Sequence, residues 1–135
     1  MARSLRDRVR ERAGRRCEYC HLPDFAAIAS DFHVEHIVAR QHRGSDAIGN
    51  RCWCCHRCNL HKGPNLSGRD PLTGNAVRLF DPRRQAWTRH FEWRGAVLVG
   101  RTQTGRATVA VLNINDPRRV QLRQILMDNG EWPDD

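Results

Sequence analysis

Lysine is almost missing from this chain: of its 23 basic residues only Lys62 is one. Long apolar runs are missing too, and none approaches the roughly 18 residues that a membrane-spanning helix requires. The opening residues hold no apolar stretch of the kind that directs secretion, so a cytoplasmic setting is expected. The last eight residues contain no base, only the acids Asp128, Glu131, Asp134 and Asp135. There is no internal repeat and no low-complexity tract. These absences exclude an integral membrane protein, an exported protein and an acidic scaffold.

What is present is the length of one compact domain, 135 residues with a formal net charge of +8. Four of the 15 acids sit in the tail, so residues 1–127 carry 23 bases against 11 acids. Such an excess points to a polyanionic partner, nucleic acid before membrane. The planar fork of arginine suits phosphate, although codon bias in GC-rich DNA explains the same preference equally well.

Six cysteines, Cys17, Cys20, Cys52, Cys54, Cys55 and Cys58, fall in two clusters. In a reducing compartment structural disulfides are not expected. Cys17-Glu-Tyr-Cys20 and Cys55-His-Arg-Cys58 each have the spacing of a metal knuckle. Two such turns complete a tetrahedral four-cysteine Zn2+ site, closed to substrate and therefore structural. Cys52 and Cys54 alternate on one side of a short strand, where core packing is preferred over metal ligation.

Local signals place the elements. Ser4-Leu5-Arg6-Asp7 opens a helix that Gly14 stops. Arg6, Arg8, Arg10 and Arg12 on that helix either track a phosphate backbone or form a solvated face. Phe32–Val38 reads as a strand, 39–50 as a polar loop, 51–54 as a second strand, and Cys55–Lys62 as a helix ended by Gly63-Pro64. Further on, Val77–Phe80 reads as a strand and Arg83–Arg89 as a short helix. A hairpin turns at Arg94-Gly95. Ala107–Ile114 stays open between strand and a helix capped by Thr104. Asp116-Pro117 opens a last helix to about Asp128.

The informative stretch is His33 to Gly63. Glu35-His36 closes the first strand, Asn50 follows His36 by 14 residues, Asn59 follows Asn50 by nine, and Lys62 comes one helical turn later. Together with Gly44-Ser45-Asp46 and the bracketing cysteine pairs, these residues resemble the HNH endonuclease family, over roughly residues 14–65. The resemblance implies an α+β fold: a ββα-metal core braced by the zinc knuckles in 1–65, with a basic N-terminal helix. Residues 66–135 are then a C-terminal α/β extension packed on the same single domain.

The resemblance also implies roles. His36 is the general base, Glu35 and Asn59 hold a catalytic divalent ion, Mg2+ or another, and Asn50 braces the loop that fixes the base. Ala39 stands where the family usually has proline, and Arg43 where it often has glycine. Arg40, Arg43, Arg57 and Lys62 are the candidate phosphate contacts. The implied activity is hydrolysis of DNA, most readily double-stranded, leaving 5′-phosphate and 3′-hydroxyl ends. One site nicks one strand, so a double-strand break calls for a homodimer or two visits.

The chemistry of the residues agrees. Imidazole is mostly free to accept a proton at neutral pH. One carboxylate plus one amide oxygen is a hard, sparse set suited to Mg2+. Strict strand alternation, however, sends Glu35 and His36 to opposite faces unless the site straddles the strand end. His21, His33, His42, His56 and His90 are read as surface or core residues. Helix phase turns His61 away from Asn59. Trp53, Trp87, Phe91 and Trp93 are read as core. The rivals are a non-catalytic zinc ribbon that binds nucleic acid, and a thiol redox protein.

Overall fold

The computed structural model describes residues 3–27 and 31–132; part of the loop after the first cysteine pair and the acidic end at Asp134 and Asp135 lie outside the described residues. Mixed helices and small antiparallel sheets make the fold α+β. The chain divides into two compact units, Met1–Asn65 with Asp81–Arg84, and Leu66–Phe80 with Gln85–Asp135.

In the first unit, helix α1 (Leu5–Arg12) starts where the Ser4 hydroxyl accepts the Asp7 N–H at 3.0 Å, and Gly14 follows its end at φ +68°. Strand β1 (His33–His36) pairs antiparallel with β2 (Arg51–Cys54), His33 opposite Cys54 and His36 opposite Arg51. Helix α2 (His56–Lys62) follows with Cys55 as its N-cap. The strand is shorter than the expected Phe32–Val38. Beyond His36 the N–H groups of Ile37 and Val38 and the Val38 carbonyl bond to one residue, Asn50, rather than along a second strand.

Alternation sorts the hairpin into two faces. His33 and Glu35 share one with their partners Cys54 and Cys52; Val34 and His36 share the other with Trp53 and Arg51. Helix α2 lies along the first face, touching both ends of β1. His56 Nδ1 is 3.3 Å from His33 Nε2, and Lys62 Nζ donates to the Ile37 carbonyl at 3.1 Å. Helix α1 covers the second, with the Arg6 guanidinium 4.6 Å from the centre of the Trp53 ring.

Trp53 is fully buried, packs on Phe32, and donates its indole N–H to Asp24, which also takes a forked bond from Arg10. Removing about 200 Å² of aromatic surface from water contributes about 5 kcal/mol before entropy is charged against it. Arg12 completes the set by donating to the carbonyls of Ile48 and Arg51. Three of the four arginines expected on the surface of this helix are therefore spent on the fold.

The second unit holds hairpin β3 (Ser67–Arg69) and β4 (Ala76–Arg78), then α3 (Trp87–His90), which is what forms of the expected Arg83–Arg89 helix. Hairpin β5 (Phe91–Arg94) and β6 (Val97–Gly100) turns at Gly95, as its sequence indicates. Helix α4 (Gln103–Val111) packs on β6, β3 and β4. Glycine is required there, since a Cβ on Gly105 would lie 2.1 Å from the His90 carbonyl oxygen. The cap is Thr102, whose hydroxyl accepts the Gly105 N–H, and not Thr104, whose carbonyl accepts from Thr108. Burial of Ala107 and Thr108 settles the segment as helix despite its valines. Helix α5 (Pro117–Asp128) has Asp116 as cap and proline in its first turn. No helix among the described residues is long and apolar enough to cross a membrane.

Candidate functional site

Four sulfurs converge from two turns. Cys17 and Cys20 come from the loop after α1; Cys55 caps α2 and Cys58 lies in its first turn. All four are buried, with ligand atoms within 4.8 Å of one another. Cys20 Sγ and Cys55 Sγ are 3.7 Å apart. A tetrahedron with metal–sulfur bonds of about 2.3 Å has edges of about 3.8 Å, so the cluster is already close to that shape.

Its electrostatics also call for a cation. Burial opposes ionisation of Cys17, but hydrogen bonds from the thiols of Cys20, Cys54, Cys55 and Cys58 outweigh it and hold Cys17 well below the usual thiol range. Cys58 is pushed far up, by burial and then by its bond to Cys17. One anion suppresses the next, and only a bound dication brings all four to thiolate. The four cysteines are thus positioned to bind a metal ion.

Cys52 and Cys54 are different. Burial raises the Cys52 thiol to about 12, against a contact with the Tyr19 hydroxyl, and raises Cys54 strongly as well. A thiol held protonated is unreactive, so both serve as core residues, as expected from the sequence.

The loop from Ile37 to Asn50 is closed by Asn50. Its amide oxygen accepts the Val38 N–H at 2.9 Å, its amide nitrogen donates to Val38 O at 2.9 Å and Ser45 O at 2.7 Å, and its own carbonyl accepts the Ile37 N–H. Asn50 therefore does the work of a strand partner just past the end of β1. Gly44 makes the closure possible: a Cβ there would sit 1.7 Å from the Val38 oxygen.

That closure carries Asp46 to His36. His36 Nε2 lies 2.8 Å from Asp46 Oδ1, and Arg40 Nε reaches the same oxygen at 2.9 Å. These two bonds hold the Asp46 carboxyl below the usual carboxylate range. An ionised carboxylate only accepts, so Nε2 carries the hydrogen of this contact and Nδ1 is the nitrogen left to exchange a proton. Reading the sequence gives Asp46 no role beyond a place in a motif. The available signal was Gly44-Ser45-Asp46 in a loop that had to fold back on His36.

Glu35 projects from the α2-facing side of the hairpin, and one of its oxygens accepts the His36 N–H at 3.1 Å. Asn59 falls at the helix phase midway between His56, which meets the start of β1, and Lys62, which meets its end. His61 lies on the opposite flank of the buried stripe. Glu35 and Asn59 are both half-buried, and one carboxylate with one amide oxygen is a donor set whose chemistry suits a hard cation.

Arg40, Arg43 and Arg57 are exposed. Lys62 is not: it is 2% exposed and its ammonium is bonded to the Ile37 carbonyl. The expectation of a phosphate contact at Lys62 is corrected on this geometry, because its place in the helix turns it into the core with Cys58.

Residues 17–65, the segment holding β1, β2, α2 and the four cysteines, match the family model described as HNH endonuclease. No curated protein and no solved structure matches the chain.

Proposed function

From a chain whose residues 17–65 match the HNH endonuclease family model, we propose a metal-dependent endonuclease that hydrolyses DNA phosphodiester bonds and leaves 5′-phosphate and 3′-hydroxyl ends. The observation that carries this reading is the His36–Asp46 pair at the end of β1, in a loop closed by Asn50. His36 accepts the proton of the attacking water at Nδ1. Asp46 acts as a positioning residue that sets the tautomer. General-base catalysis supplies about 10²–10⁴-fold, so the phosphoryl charge needs separate stabilisation. A divalent ion such as Mg2+, held by the free oxygen of Glu35 and the amide oxygen of Asn59, supplies that stabilisation when bound. Zn2+ in the four-cysteine site is structural: it ties the N-terminal loop to the start of the helix that bears Asn59.

Two departures from the family pattern keep the geometry of the residues they replace. Ala39, at the usual proline position, has φ −63°, which is proline's own angle; Arg43, at a position often glycine, has φ +66°. A non-catalytic zinc ribbon would need its basic helix for phosphate, yet Arg6, Arg10 and Arg12 are engaged within the protein. Exposed Arg43 and Arg57 remain for double-stranded DNA, together with Arg40, whose Nε holds Asp46 while the rest of its guanidinium stays open to solvent. One site cuts one strand, and a double-strand break would take two copies.

Plasmid nicking with Mg2+ tests the reading. Wild type is expected to nick, EDTA to stop it, and a folded His36→Ala variant to be inactive. Equal nicking by wild type and variant would remove His36 from the role of base.

A further inference from the structure

His33 and His56 are used by none of this chemistry. They sit on two different elements, the first residue of β1 and the first of α2, and are brought together only by the packing of one on the other. His33 Nε2 is 3.3 Å from His56 Nδ1, with ring centroids 5.5 Å apart and planes inclined at 33°. We propose that this pair is a transition-metal site, taking a borderline dication of the Zn2+ class through two imidazole nitrogens and completing its shell with water.

Three observations carry it. The first is distance. Two nitrogens at adjacent corners of a tetrahedron with bonds of about 2.0–2.1 Å are about 3.3–3.4 Å apart, which is the spacing present. The second is rigidity. Helix α2 is fixed at its start by the cysteine cluster and at its end by Lys62 on the Ile37 carbonyl, so the two rings are held before any ion arrives. The third is field. Glu35 lies two residues along the same face of β1, about 6.6 Å away, and contributes negative charge on that side. The rings are open to solvent at the helix start, where His56 is exposed.

Donor chemistry separates this site from the one assigned to Mg2+. Neutral imidazole selects Zn2+, Co2+ or Cu2+, whereas Mg2+ prefers oxygen ligands and its own waters. In the absence of an ion a hydrogen bond between the two rings keeps them in register. Binding replaces that bond with two coordinate bonds and shifts the tautomer without net proton uptake.

The test uses the full chain with its four-cysteine site already filled. Zn2+ is titrated calorimetrically in the presence of excess Mg2+, with the imidazole resonances followed in parallel. The expected result is one further equivalent of Zn2+, shifts confined to His33 and His56, and loss of that equivalent in both His33→Gln and His56→Gln. A His42→Gln variant should keep it. Circular dichroism and retained cysteine-bound metal establish that the variants fold. No further equivalent, or one that survives both substitutions, overturns the proposal. If the equivalent is lost in Glu35→Gln instead and is displaced by Mg2+, the ion sits at the Glu35–Asn59 pair: the two-histidine site is then refuted while the nuclease reading stands.

Discussion

Replacing Asn50 tests the link between loop closure and catalysis. The side chain makes three hydrogen bonds, two to the backbone of Val38 and one to Ser45. At about 0.5–1.5 kcal/mol net for each, and with Asn50 half-buried, Asn50→Ala should lose about 2–3 kcal/mol of stability. The larger effect falls on His36. Without Asn50, the segment from Ile37 to Arg51 loses the clamp that brings Asp46 within 2.8 Å of the imidazole. A displacement of about 1 Å at a reacting group is enough to lower a rate about 10²-fold.

Asn50→Asp is the more discriminating variant. It has almost the same shape and keeps the bond from the Val38 N–H, but it points an oxygen at the carbonyls of Val38 and Ser45 where an N–H had been. It should be at least as inactive as the alanine variant. The assay is plasmid nicking at saturating Mg2+, alongside denaturant unfolding and measurement of cysteine-bound metal. Both variants should keep their metal and lose activity. A folded, metal-loaded Asn50→Ala protein that nicks at the wild-type rate would refute the argument that this residue fixes the base.

Other consequences follow from the same geometry. Lys62→Met leaves the Ile37 carbonyl without its buried donor and should cost about 1–3 kcal/mol, measured by denaturant unfolding. The salt dependence of DNA binding should stay unchanged in that variant, whereas Arg57→Ala should reduce the slope by about 1; a reduced slope for Lys62→Met would return that residue to the DNA interface. Cys58→Ser should lose the metal and unfold its unit, since binding to a structural zinc site provides about 10–16 kcal/mol. A metal-free variant with native circular dichroism would show the site to be dispensable for folding. Ala39→Pro should raise stability by about 0.4–1 kcal/mol, because the native φ is already that of proline and the unfolded chain loses freedom. A lower unfolding midpoint would mean that the ring clashes or that the Ala39 N–H is needed.

Much of the site was legible because its signals are local or depend on residue type. Two C-x2-C turns name a tetrahedral cluster wherever the rest of the chain goes. The Ser4 and Asp116 caps each act within a few residues, and both helices begin where they indicate. Asn59 came from the family motif, and helix phase favoured it over His61. Other features were legible only in part. Thr102 and Thr104 have equal chemistry as caps, and in the fold it is the Thr102 hydroxyl that accepts the Gly105 N–H and meets His90 Nδ1.

The order of residues along the chain determined which atoms can ionise, donate or ligate, and how the backbone turns over three or four residues. It did not determine which distant groups meet. Asp46 found His36 through a loop closed by Asn50, Lys62 turned inward to a carbonyl 25 residues earlier, and three arginines of α1 went to Trp53, Asp24 and the carbonyls of Ile48 and Arg51. An arginine or lysine has the same donors whether it faces a phosphate or a buried oxygen. Only the packing of one element on another excludes water from a particular acceptor, and that exclusion decides where the charge goes.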